Sequence, residues 1–192
     1  MNYRYFPKHA YTHMPWKNGG GSTAEIYRYP EQTDDWLWRM SVAHIEQDGP
    51  FSAFPGCDRE LTVLQGEGMQ LVFDDRIEPV IPPYGQIRFA GEQTPDCHLL
   101  DGPTRDFNAI WKRQAFEIHG QRRAMTGSLW CIPESGVTWF VYFLSGTGRI
   151  KDDPDSPVIE AGDAIWLRPS QGASRLVLEA HGEALWIKLQ QR

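Results

Sequence analysis

Apolar and polar positions alternate along short stretches of this chain rather than recurring at a helical period. In 38–45, Trp38, Met40 and Val42 interleave with Arg39, Ser41 and Ala43, the period-two pattern of a strand with two unlike faces. The run Trp139-Phe140-Val141-Tyr142-Phe143-Leu144 is apolar throughout, as expected of a strand covered on both sides. Stretches 61–64, 69–73 and 184–189 read as further strands, and Gly, Pro and Asp clusters punctuate the gaps between them. The pattern predicts an all-β chain of the sandwich or barrel type.

The runs are also repeated. Val63-Leu64-Gln65-Gly66-Glu67-Gly68-Met69 and Phe143-Leu144-Ser145-Gly146-Thr147-Gly148-Arg149 share the pattern apolar-Leu-x-Gly-x-Gly eighty residues apart. Pro79-Val80-Ile81 returns as Pro157-Val158-Ile159, and Gly85-Gln86-Ile87 returns loosely as Gly162-Asp163-Ala164-Ile165, in the same order and at nearly the same offset. Three features kept in order imply a duplicated β unit. Each glycine pair predicts a hairpin. The expected domains are 1–112 and 113–192, with the junction inside 110–117, where nothing has the composition of a flexible linker.

Composition removes several classes of partner. The formal net charge is −6, and the basic pairs Lys112-Arg113 and Arg122-Arg123 are too short to form a field for phosphate backbones, so nucleic acid is not expected. No stretch approaches the roughly 20 apolar residues of a membrane span, and 1–8 lacks the apolar core of a signal peptide; the expectation is a soluble, cytoplasmic protein without a membrane partner. Cys57, Cys97 and Cys131 form no C-x-x-C pair and read as buried free thiols in a reducing compartment. Cys57, next to Asp58-Arg59, is the one whose context could activate it.

Ile159-Glu160-Ala161-Gly162-Asp163-Ala164-Ile165-Trp166-Leu167-Arg168-Pro169 resembles the G-D-x-x-x-x-x-P step of the cupin jelly roll, and Leu144 to Gly148 resembles the glycine turn that precedes it. The resemblance implies a bicupin: two tandem cupin-like jelly-roll barrels. Metal-dependent cupins carry an H-x-H pair followed by Glu upstream of the hairpin and a third His after the Pro. Here 54–60, 133–139 and 170–174 contain no histidine. Of His9, His13, His44, His98, His119 and His181, only His9 and His13 have a ligand spacing, and prolines on both sides keep them off a helix. No metal and no cofactor are expected.

What remains is a set of polar residues in the first half. Pro15-Trp16-Lys17-Asn18-Gly19-Gly20-Gly21 is followed by Thr23 and Glu25. Three glycines can lay backbone N–H groups against an anion, or can simply make a turn into an edge strand. Asp58 and Arg59 precede the first glycine hairpin, whereas the equivalent positions of the second repeat are Thr138 and Trp139. Arg105, Asp106 and Asn108 cluster around Phe107. Together these strings resemble the HutD/Ves family of metal-free bicupins, nearest its stress-induced Ves branch. The resemblance implies a role in stress response or in control of histidine utilisation, with a small acidic ligand such as formylglutamate proposed for the HutD branch. By motif, the ligand-binding residues are Asn18, Thr23, Glu25, Asp58, Arg59, Asp106 and Asn108. The expected partner is a small polar or acidic molecule, held by the planar fork of Arg59. The alternative is a metal-independent isomerase, lyase or hydrolase with Glu25 or Asp106 as general base. Open barrel edges also make a homodimer an expectation.

Overall fold

A computed structural model describes residues 2–168 and 175–192. The segment after Pro169, one of those searched for a third histidine, lies outside the described residues. The chain starts with β1 (Tyr3–Phe6) and a 3₁₀ turn at Lys8–Ala10, and separates into two compact units, one formed by Tyr11–Phe116 and the other by Met1–Ala10 with Glu117–Arg192.

The first unit contains β2 (Thr12–Pro15), β3 (Gly21–Tyr29), β4 (Trp38–Ile45), β5 (Gly49–Pro50), β6 (Cys57–Gln65), β7 (Met69–Val72), β8 (Ile77–Val80), β9 (Gln86–Ala90), β10 (Asp96–Leu99) and β11 (Thr104–Lys112). A six-stranded antiparallel sheet runs β2-β3-β4-β11-β6-β9, and a four-stranded one runs β5-β10-β7-β8. Ala43, Ile45, Leu61 and Val63 of the larger sheet pack with Met69, Leu71, Val80 and Cys97 of the smaller one in a single apolar cluster. Both sheets turn one face into it, as a jelly roll requires.

The second unit adds β12 (Phe116–Cys131), β13 (Val137–Ile150), β14 (Ile159–Glu160), β15 (Ala164–Leu167) and β16 (Leu176–Gln191) in the order β1-β15-β13-β16-β12, with β14 on the far part of β13. Val141, Phe143, Ile165, Leu178 and Trp186 are in its core.

The repeat seen in the sequence is a repeat of pairings. β6 takes β9 on one side and β11 on the other, as the first part of β13 takes β15 and β16. β7 pairs β8, as the later part of β13 pairs β14. One expectation is corrected here. Gly66 and Gly68, at φ +91° and +90°, make the tight turn between β6 and β7, but Gly146 and Gly148 lie within the unbroken β13. A Cβ on Gly146 would meet the carbonyl oxygen of His181 at 1.9 Å. Glycine there allows two long strands to approach, where in the first unit it reverses the chain.

The sequence boundary at 112 also differs from the division of the fold. Residues 3–6 pair in register with 164–167, and the Asp163 carboxylate accepts bonds from the Tyr5 hydroxyl and the Lys8 amide, each at 2.8 Å. The repeat shows which strands correspond and is silent on which segment covers the edge of β15. All three cysteines are buried and free, and burial pushes the Cys57 thiol up, away from the activated range. Among the described residues, no helix is long and apolar enough to cross a membrane.

Candidate functional site

The first unit opens on a cavity of ≈ 640 Å³ lined by side chains from β2, β3, β4, β6 and β11 and from the loops between them. Strand alternation decides which residues reach it. On β4 they are Arg39, Ser41, Ala43 and Ile45, on β6 Arg59, and on β11 Asn108 and Ile110.

Arg59 is the deepest charge. It is 8% exposed, its Nε donates to Asn108 Oδ1 at 2.7 Å, and its guanidinium lies over the Phe51 ring, 4.3 Å from the centroid. Burial lowers its pKa to about 10, which leaves it charged at neutral pH. Among the described residues that bond to Asn108 is its only hydrogen bond. Its two terminal nitrogens carry four N–H donors without a protein acceptor.

Asn108 holds this arrangement from behind. Its Nδ2 donates to Asp106 Oδ2, which fixes the amide with oxygen toward Arg59 and nitrogen toward the carboxyl. Asp106 is fully buried, and among the described residues Oδ1 has no partner. Burial pushes its carboxyl up to about 7, against the pull of Arg59 and the Asn108 amide.

The rest of the wall is lighter in charge and better in hydrogen bonds. Thr23 Oγ1 accepts the Trp16 indole N–H at 2.8 Å, which leaves its own O–H to donate. Asn18 Oδ1 accepts the Gly20 amide at 3.1 Å, so its Nδ2 is available at the rim beside Lys17. The glycine run is a turn and not an anion nest. The Gly19 and Gly20 amides are bonded to the Trp16 carbonyl and the Asn18 side chain, and Gly21 pairs in β3 against Ile45. β3 is an inner strand, with β2 outside it.

Of the residues named from sequence, Asn18, Thr23, Arg59 and Asn108 therefore line one cavity, with Asp106 directly behind Asn108. Glu25 reaches it only at second hand: both its oxygens take Arg28, at 2.7 and 2.8 Å, and Oε2 stands 3.4 Å from Arg39 Nε. Asp58 does not reach it. As the neighbour of Arg59 on one strand it faces the other way, and its Oδ1 accepts the Arg113 Nε at 3.0 Å. A general base is hard to find in this set, because Glu25 is saturated by arginines and Asp106 lies behind an amide. Arg39 is the cavity residue that sequence reading passed over. It is mostly buried, burial lowers its pKa, and its guanidinium sits 5.8 Å from the Phe54 ring.

The residues do not fit a metal ion. At the start of β6 the inward positions are Arg59 and Leu61, neither of them a ligand, and among the described residues no three His, Cys, Asp or Glu side chains come together.

A family model described as HutD matches residues 8–186. The chain belongs to the HutD family. A HutD-family relative, an uncharacterized 21.2 kDa protein in the hutC 3′ region of Pseudomonas putida, is 47% identical over 112 residues, 58% of this chain; the match spans 59% of that relative's length. Among solved structures, a conserved protein of unknown function from Pseudomonas aeruginosa PAO1 is 30% identical with a TM-score of 0.84, covering 100% of this chain and 99% of its own. HutD from Pseudomonas fluorescens SBW25, in a formate condition, is 29% identical with a TM-score of 0.82 over 99% of both chains. Ylba from Escherichia coli, at 11% identity, a TM-score of 0.74 and cover of 100% of this chain and 92% of its own, shares the fold alone. This HutD-family chain is accordingly a cupin-type protein of two jelly-roll units.

Proposed function

We propose that the first unit binds a small organic anion, and that the protein acts as a metabolite-responsive regulator rather than as a catalyst. One observation carries this reading: two arginines, Arg59 and Arg39, enter one cavity, and among the described residues the terminal nitrogens of the deeper one have no protein acceptor. Those terminal nitrogens face the cavity, and a bound acceptor would engage up to four N–H donors at once. A carboxylate is planar and bidentate and matches that fork. The Thr23 hydroxyl and the Asn108 and Asn18 amides supply neutral hydrogen bonds for the remainder of such a ligand. Ile110, Ala43 and the Phe51 and Phe54 rings supply apolar wall.

The hutC neighbourhood of the P. putida relative and the name of the P. fluorescens homologue favour acids formed during histidine breakdown. The stress-linked role implied by the Ves resemblance is kept only as a second context for the same pocket.

The test is a calorimetric and thermal-shift screen of urocanate, formylglutamate, glutamate and simple mono- and dicarboxylates. At least one acid should raise the melting temperature and titrate with one site per chain. Arg59→Met should abolish the response; because it removes one partner of a buried charge pair and leaves Asp106 and the Asn108 carbonyl oxygen without it, the unliganded variant should also melt lower, and its fold is checked by circular dichroism before the screen. A flat panel, or a response that survives Arg59→Met, overturns the reading.

A further inference from the structure

Asp106 is built into the base of the cavity in a way that simple anion capture does not need. The Asn108 amide joins the Asp106 carboxyl to the Arg59 guanidinium, one end to each. Asp106 is 0% exposed, and Oδ1 is aimed at no donor among the described residues. Its cross-strand neighbours are apolar, Ala43 on β4 and Val63 on β6. The titratable and charged groups that face it are few. Arg59 comes from β6, and Cys97 comes from β10 with a thiol that burial pushes to about 12 and so keeps neutral. Arg39 from β4 acts on Arg59 and is itself matched by Glu25.

The charge balance of this enclosure is tight. Among the described residues, the carboxylate that acts on Arg59 is Asp106. When Asp106 is ionised, it neutralises Arg59 through the enclosure, and an entering carboxylate would be a second negative charge on the same guanidinium, close to a carboxyl that is itself shut away from solvent. When Asp106 is protonated, Arg59 is left for the ligand. Two carboxylates near one guanidinium in low dielectric cannot both remain ionised at little cost, and the fully buried one, with an oxygen already unpartnered, is the one to yield.

We propose that Asp106 is a proton-binding positioning residue that takes up one proton for each carboxylate held by Arg59, so that the protein binds an organic acid and a proton together. This rests on the anion-binding reading above and adds a regulator to it: the site fills when the acid is abundant and the pH is low. The step balances, because one solvent proton forms the O–H of Asp106 as one anion enters. Nothing is oxidised or reduced.

Linkage gives the size of the effect. Above the midpoint of Asp106 in the free protein, affinity for the anion should weaken about tenfold per pH unit, and below it should be level. Glutarate is a suitable probe because both its carboxyls are ionised at neutral pH and above, where the proton uptake is read. The full chain is titrated with glutarate by calorimetry between about pH 6 and pH 9, in buffers of different ionisation enthalpy, and the Asp ¹³Cγ resonances are followed by NMR with and without glutarate. The expected result is uptake of close to one proton per glutarate at about pH 8, with the Asp106 midpoint moved up on saturation. Asp106→Asn should bind with no pH slope over the same range. If glutarate binds without proton uptake, or Asp106 keeps its midpoint in the complex, the proposal fails and anion binding stands. If neither glutarate nor any other acid of the panel gives heat or a shift at any pH, both fail together. The NMR readout uses the unaltered protein, so it holds even if the variant does not fold.

Discussion

Glu25 on β3 and Arg39 on β4 face each other at 3.4 Å across neighbouring strands, and the same carboxylate holds Arg28 in a two-pronged bond. One acid thus sets the angle at which Arg39 enters the cavity, without facing the cavity itself. Glu25→Gln keeps the shape and removes the charge. It should cost about 2 kcal/mol of stability in urea denaturation, because it strands two partly buried guanidiniums. Affinity for a bound carboxylate should hold or tighten, since Arg39 gains net positive charge. A collapse of affinity with folding intact would show that Glu25 touches the ligand directly.

The strand runs, their order and the duplication were legible, because period-two patterning and repeated Gly-x-Gly strings are local signals, although only the first of those strings turns the chain. Arg59, Asn108 and Thr23 were legible through the strings that carry the family resemblance, not through the alternation of their strands. Asp58 was taken along with Arg59 although adjacent residues on a strand point to opposite faces, and alternation alone could have separated them. Arg39 was overlooked for a subtler reason. Trp38, Met40 and Val42 on the other face of β4 are buried too, so the apolar set marks a covered face without saying which face bears the cavity. The covering of β15 by β1 depends on contacts about 160 residues apart, for which a single sequence holds no local sign.

Asp106 should leave a mark on stability even without ligand. Its folded-state pKa lies at about 7, above the ordinary carboxylate value of 3.8 that it regains on unfolding. Between these values the native state binds more protons than the unfolded state, so this residue's contribution is fully present below the unfolded value and is lost as pH rises toward 7. Asp106→Asn should remove that loss. Denaturation curves at mildly alkaline pH should place the variant at or above the parent, and the two should converge or cross in acid. A variant less stable at alkaline pH by the same margin as in acid would contradict the buried carboxyl's role.

The glycine turn gives a contrast between two neighbours. A Cβ on Gly21 would come within 2.2 Å of the His44 carbonyl oxygen, whereas one on Gly19 meets nothing within 4 Å but must adopt φ +73°. Gly21→Ala should therefore cost about 3 kcal/mol through overpacking between β3 and β4. Gly19→Ala should cost about 1 kcal/mol from its backbone conformation alone, and Gly19→Asn less. Chemical denaturation of the three variants checks the ranking, and equal costs would refute the packing argument.

The pairing of residues 3–6 with 164–167 bears on the order in which the molecule is made. During synthesis the strand emerges before the whole of the unit that separates it from its partner. At typical translation rates that is a wait on the order of ten seconds, in which an apolar-edged segment has nothing of its own to pair with. The intervening barrel can close in the meantime without it. The second barrel cannot be completed until the early strand is retrieved, so once the first unit has cleared the ribosome the nascent chain holds one finished domain and a stray piece of the next.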